Sequence, residues 1–420
     1  MRAIHKRERG IAISYDDILL VEGARTPFGK YTGTLSQVSP TDLGIFASQA
    51  ALKKANVPAS QIDQVIAANI GQSSVDAYFL PRHISLFSGI PTEVPSLLVQ
   101  RICGSGFETL ITGAEQIVLG KADKVLCVGT ENMSLSPTVS FGNRMGYPLG
   151  RPMFMDMLWE ALDDTAAGYP MGFTAENVAK KYLVSRVDCD EYAMLSFQRA
   201  LNAKSKKVFD EEIFPLNSTI FDMDGLKSRK VFLPRGITDF VTDEHVRETT
   251  LGALSKLPTV FDQVGVLTAG NCSGIVDGAA AIVIANESSV KSNDLKPISK
   301  IVASASCGID PKYMGLGPVP AILLLLELTS LKISDIGLFE INEAFSAQVI
   351  GCERELGIDR NQLNVNGGAI ALGHPLAATG TRLSLSISKE MMRRKVKYGI
   401  ASACIGGGQG TAILFENVNM

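Results

Sequence analysis

Histidine is scarce in this chain. Among 420 residues there are four, His5, His83, His245 and His374, so any imidazole chemistry falls to very few positions. Tryptophan is scarcer still, with Trp159 alone. Cysteine is neither dense nor paired. Cys103, Cys127, Cys189, Cys272, Cys307, Cys352 and Cys404 are scattered, odd in number and without a C-x-x-C spacing, which argues against a disulfide framework and against a zinc site. Reduced thiols of this kind suit a cytoplasmic compartment, most of them buried as small hydrophobes. A formal net charge of −3 lacks the bias that nucleic acid or an anionic membrane would call for. No apolar run approaches the roughly 18 residues of a bilayer span, and the densest, "VPAILLLLEL", reads as a buried helix. Neither a P-loop nor a strand–GxGxxG–helix unit is present, which speaks against nucleotide hydrolysis and a nucleotide cofactor.

What the chain does have is length for two or three subdomains and an α/β pattern. Short β-rich runs, "DDILLVEGA", "IDQVIAANI", "DKVLCVGT" and "GAAAIVIAN", alternate with helical stretches. The order then recurs as "ISKIVASAS", "DIGLFEINEAF", "KYGIASACIGG" and "GTAILFEN". Val65 and Leu338, Cys103 and Leu376, and Lys124 and Lys397 each lie 273 positions apart, which predicts two duplicated halves. The expected division is a solvated N-terminal extension over residues 1–16, a first half over 17–131 and 264–292, an inserted loop subdomain over 132–263, and a second half over 293–420.

Chemistry concentrates at element ends. In "NGGAIALGHPLAATGTRL" Pro375 keeps His374 out of the α region and lets a helix start at Leu376, so His374 is a loop residue beside a helix N-terminus. Cys103 opens the predicted helix of "CGSGFETLITGAEQIVLG", where unpaired N–H groups favour a thiolate. A pairing of the two halves would turn these two helix starts toward one cleft. Cys404 ends a strand and enters a glycine turn whose N–H groups suit an oxyanion. Asn342 and Glu343 form a polar pair amid apolar neighbours and need partners, from the protein, water or a substrate. Two cysteines, a histidine and an asparagine suggest acyl transfer through a thioester, with no metal needed.

The motifs "VEGARTPFGKYTGTL", "CGSGFETL", "MGFTAENVAKKY", "VLTAGNCSGIVDGAAA", "EINEAFSAQ", "NGGAIALGHPLAATGTRL" and "CIGGGQGTA" run in the order of a thiolase, and the chain resembles that family over nearly its whole length. The resemblance implies the thiolase fold: two βαβαβαββ halves in a layered α-β-α-β-α arrangement with an inserted subdomain. It implies thiolysis of 3-ketoacyl-CoA or Claisen condensation of two acetyl-CoA, by a ping-pong route through an acyl-Cys103 thioester. His374 would be the base for Cys103 and Cys404 the second acid/base. Asn342 would hold a water that completes one oxyanion hole with His374, and the N–H groups of Cys103 and Gly406 would form the other. Coenzyme A is the implied co-substrate, bound at the insertion with Arg247 near its nucleotide and Ser273 near its pantetheine. Met171 and Met314 would line the acyl pocket.

The resemblance further implies a homodimer or homotetramer and association with β-oxidation enzymes. Two positions depart from the family pattern: Pro170 stands where acetoacetyl-CoA thiolases carry histidine, and Ala377 stands where glycine is usual. The rival readings are a ketoacyl-synthase-like condensing enzyme and a non-catalytic acyl-CoA-binding partner.

Overall fold

The computed structural model describes residues 4–7, 10–147 and 149–420, with the backbone alone for 4–7. Strands β1 (Gly10–Arg25), β2 (Gln64–Ala68), β3 (Ser96–Val99), β4 (Lys124–Glu131) and β5 (Val276–Asn286) belong to the first half. Strands β6 (Ser299–Gly308), β7 (Leu338–Ile341), β8 (Tyr398–Ile405) and β9 (Gln409–Glu416) belong to the second. The spatial order is β7-β8-β9-β6-β1-β5-β4-β2-β3. Outward from the central β1–β6 pair, β5-β4-β2 and β9-β8-β7 repeat the same order with the same strand senses, and β3 extends the first half beyond its counterpart.

The duplication reaches the register itself. Val65 pairs with Leu126 in the first half and Leu338 with Gly399 in the second, each residue displaced by the 273 positions read from the sequence. Strand β1 spans the junction, pairing with β5 through Ile18–Arg25 and with β6 through Gly10–Leu20. Residues 10–16, expected in a solvated extension, are therefore part of the sheet, and Ala12 and Tyr15 are buried. Backbone pairing with β6 from Gly10 to Ser14 overrides the basic character of the opening that suggested a solvated stretch. Residues 1–3, 8 and 9 of that expected extension lie outside the described residues.

Among the described residues eight longer helices accompany these strands: α1 (Pro40–Ala55), α2 (Leu80–Phe87), α3 (Ser105–Val118), α4 (Met171–Tyr182), α5 (Arg186–Ser205), α6 (Pro318–Thr329), α7 (Ser346–Leu356) and α8 (Leu376–Arg394). Alternation along the strands sorts them into layers. On β4, Val125 and Cys127 pack with Phe107 and Leu110 of α3, while Leu126 and Val128 pack with α1 and α2. On β9, Ile413 and Phe415 join that same inner core with Leu383 and Leu385 of α8, while Ala412 and Leu414 pack with α6. The result is five layers, α-β-α-β-α, with α3 and α8 in the middle.

Those two central helices touch backbone to backbone. A Cβ built on Gly106 would lie 2.5 Å from the Thr381 amide nitrogen, and one on Gly380 would lie 2.3 Å from that of Phe107. Overpacking of this kind costs about 1–3 kcal/mol. Gly106→Ala is therefore expected to lower the melting temperature by several degrees, checked by thermal unfolding followed by circular dichroism. An unchanged melt would mean the crossing is looser than its contacts imply.

Between β4 and β5 no strand among the described residues joins the main sheet, and Ile213 alone bridges to Arg25 at the end of β1. This insertion carries α4 and α5 and is clamped to the first half by Arg25, fully buried at the end of β1. Arg25 donates to Glu212 at 3.0 Å and to both carboxylate oxygens of Asp243 at 2.7 and 2.9 Å.

Candidate active site

The turn carrying His374 is built for close approach. Gly373 has φ +97°, and a Cβ there would lie 2.3 Å from a methyl of Val276. Pro375 then caps α8, which begins at Leu376. The His374 amide donates to the Gly274 carbonyl at 2.9 Å, and the Gly274 amide donates to Ala369 at 3.1 Å. On the ring, Nδ1 lies 2.5 Å from the Thr379 hydroxyl, which itself donates to the Pro375 carbonyl at 3.1 Å. With its proton committed there, Thr379 accepts from Nδ1–H, so Nε2 carries the lone pair. Asn342, just beyond β7, donates to that Nε2 through a long bond of 3.3 Å. Burial, aided by the positive charge of Arg382, pulls the imidazole down to about 3, so it is neutral and able to accept a proton.

Cys103 sits two residues before α3, half-buried, in a turn under strain: Ile102 adopts φ +42°, which a β-branched residue rarely does. A Cβ on Gly104 would lie 2.5 Å from the Ile405 side chain, which explains the glycine after the cysteine. Burial pushes the Cys103 thiol up to about 11, opposed by the N–H groups of Gly406 and of Cys103 itself. Cys404, near the end of β8, is fully buried against Met314 and Ala344, and burial and the neighbouring Cys103 hold its thiol well above the usual range. Two uncharged thiols and a neutral imidazole thus gather at the paired starts of α3 and α8.

A cavity of about 450 Å³ opens onto His374 and Leu376 and is bounded by the insertion, with Trp159, Met171, Ser273 and Phe345 in its walls. The lining is mostly apolar. Cys103 packs against Leu376 and Met133 at its inner end. An apolar cleft that ends at a thiol, a base and convergent N–H groups suits a thioester with an acyl tail.

Family models agree with this geometry over both halves: that of the thiolase N-terminal domain matches residues 18–288, and that of the thiolase C-terminal domain matches residues 295–417. The chain belongs to the thiolase family. It is 44% identical over 402 residues to mitochondrial 3-ketoacyl-CoA thiolase of Bos taurus, covering 95% of this chain and 98% of that protein. It is 39% identical to an acetyl-CoA acetyltransferase of Cupriavidus necator, covering 95% of this chain and 99% of that protein. Crystal structures of human mitochondrial 3-ketoacyl-CoA thiolase superpose at a TM-score of 0.91 and, in complex with CoA, 0.90, both at 42% identity and covering 98% of this chain and at least 98% of theirs.

In this thiolase His374 meets Asn342, Cys103 lies against the Gly406 amide and beside Cys404, and His374, Ser273 and Met171 line the cavity. Met314, expected in the acyl pocket, is instead buried behind Met171 and Phe345 against Cys404. Arg247 lies outside the cavity wall, its guanidinium 4.8 Å over the Phe197 ring and 3.2 Å from Nε2 of His245, which does line the cavity. Glu343 is saturated by Tyr192, Ser196, Asn364 and the Ile370 amide, so it braces the 364–370 loop and is not free for substrate.

Sequence reasoning missed Thr379, His245, Arg382 and Glu131. Glu131 accepts from Asn69, from the amides of Ile70 and Gly71, and from Ala377 in the first turn of α8; burial pushes it up to about 7. The repeat offset could have found it, since Glu131 and Cys404 are 273 apart.

Proposed function

We propose that this thiolase-family acyltransferase cleaves 3-ketoacyl-CoA with CoA, and runs the reverse condensation, through an acyl-Cys103 thioester. The observation that carries the reading is the Cys103 thiol set against the Gly406 and Cys103 N–H groups, at the end of an apolar cavity that reaches a neutral His374. In thiolysis, Nε2 of His374 takes the Cys103 proton and the sulfur attacks C3 of the substrate. The C2–C3 bond breaks, and the acetyl-CoA enolate takes a proton from Cys404. CoA then gives its thiol proton to the Cys404 thiolate, attacks the acyl-Cys103 carbonyl and leaves as the shortened acyl-CoA, and the expelled Cys103 thiolate takes its proton back from His374. Asn342 Oδ1 accepts from no described residue, which suits it to hold the water of one oxyanion hole. The N–H groups of Cys103 and Gly406 serve the other.

Met171 and Ser273 belong to the walls that hold acyl chain and pantetheine, and Arg247 belongs to the outer, nucleotide end. The seven cysteines are free, in keeping with a cytoplasmic, reducing location, and a homodimer or homotetramer working beside other β-oxidation enzymes completes the proposal.

A malonyl-dependent condensing enzyme is disfavoured by a thiol, Cys404, in the place of its second base. A non-catalytic acyl-CoA binder is disfavoured by three reactive groups brought together. The test is CoA-dependent cleavage by purified protein, compared as kcat/KM. Aliphatic and aromatic walls favour longer chains: two further methylenes at about 0.8 kcal/mol each predict roughly tenfold higher kcat/KM for 3-ketohexanoyl-CoA than for acetoacetyl-CoA. Cleavage of neither substrate overturns the reading, and cleavage confined to acetoacetyl-CoA overturns the chain-length argument.

A further inference from the structure

Arg382 is 2% exposed in the middle of α8, among the largest fully buried side chains of the protein. Its only ion-pair partner among the described residues is Glu340, at 3.6 Å, too far for a hydrogen bond. Nε and Nη2 of Arg382 donate to no described residue, and Oε2 of Glu340 accepts from none. Stability does not account for this arrangement, because apolar replacements of buried ion pairs are often neutral or stabilising. Its position suggests another role. Arg382 is three residues beyond Thr379 and shares its helix face, and Thr379 holds Nδ1 of His374. Glu340 and Asn342 share one face of the β7 chain, and Asn342 meets Nε2. The pair thus lies directly behind the two groups that grip the imidazole.

We propose that Arg382 is a positioning residue for acyl transfer: its incompletely countered charge behind His374 holds the Cys103–His374 pair as thiol and neutral imidazole until substrate engages it. The inference rests on reading Cys103 as nucleophile and His374 as its base. Moving the Cys103 proton to His374 makes a second cation beside Arg382, which the low-dielectric interior penalises. Once acyl transfer has begun, the same repulsion drives that proton off His374.

The other titratable groups around this site do not cancel the effect. Cys103 and Cys404 are pushed up by burial, Glu131 is engaged by four donors, and Glu343 is saturated as described. His245, on the far side of the turn, bonds the Ala371 carbonyl and is lowered by burial. Beyond Glu340, Arg382 faces Arg25 together with Glu212 and Asp243, a cluster with one carboxylate in excess, which favours the charged form of Arg382 while Arg382 is the charge that acts on His374. Glu340 itself is pushed up to about 8 by burial, so near neutral pH it offsets little of the Arg382 charge.

The test is the pH profile of Cys103 alkylation by iodoacetamide, read at Cys103 by peptide mass, in the wild type, Arg382→Lys and Arg382→Met. Arg382→Met should alkylate about tenfold faster at pH 7, the equivalent of one unit on His374. Arg382→Lys, which keeps the charge, should stay within about threefold of the wild type. Arg382→Gln serves if the methionine variant fails to fold. A profile that superimposes on the wild type in a folded, uncharged variant overturns the proposal, whatever happens to its melting temperature. If wild-type Cys103 is not alkylated at all, the nucleophile reading falls with it.

Discussion

Replacing Cys103 by alanine should reduce kcat for thiolysis by at least about 10,000-fold while leaving the fold and CoA affinity nearly unchanged, since losing a covalent nucleophile costs 10⁴–10⁶ in comparable triads. No other thiol can take its place. Cys404 is fully buried behind the reacting face, and Cys272, although it lines the cavity, is pushed far up by burial and turns its thiol toward the Asn271 side-chain oxygen. Cys103 alone combines a strained turn at Ile102, two convergent N–H groups and a neutral base whose tautomer is set by Thr379. The measurement is kcat and KM with 3-ketohexanoyl-CoA, with acyl-enzyme detected by intact mass. Residual activity within a hundredfold of the wild type would mean that no thioester at this position is on the path. Cys103→Ser should recover little, because a hydroxyl beside a weak, buried imidazole is a poorer nucleophile than a thiol.

The placement of His374 was legible because one residue, Pro375, dictates both the extended backbone before it and the helix start after it. The duplication was legible because equal offsets in sequence become equal offsets in register, as Val65–Leu126 and Leu338–Gly399 show. The groups that tune the site were not. Thr379 and Arg382 read as ordinary helix residues, and only the packing of α8 against β7 brings them beneath the imidazole. Met314 carries no sign of whether it lines a cavity or backs one, which depends on how Met171 and Phe345 lie over it. Residues 10–16 read as solvated because their pairing partner, β6, is nearly three hundred residues away. Local chemistry marks loops, caps and turns; a shift in protonation depends on neighbours that only the folded chain assembles.

Cys404→Ala should separate the two half-reactions. Acylation of Cys103 by acetyl-CoA needs only the Cys103–His374 pair and should persist, whereas thiolysis of 3-ketohexanoyl-CoA should fall roughly 1,000-fold, the usual reach of a lost general acid. The reason lies in protonation. Burial and the neighbouring Cys103 hold the Cys404 thiol well above its ordinary range, so at neutral pH it keeps its proton and is ready to give it to the departing enolate. In condensation the same group must first lose that proton. Condensation should therefore gain with rising pH over a range where thiolysis does not, and the alanine variant should lose that dependence. Cys404→Ser controls for packing against Met314 and Ala344, since it keeps nearly the same volume. Equal loss of Cys103 acetylation and of thiolysis in the serine variant would assign Cys404 to the shape of the site and not to proton transfer. Retained acetylation with lost cleavage would place the second proton on this sulfur, which lies beside Cys103 and packs with Met314 and Ala344.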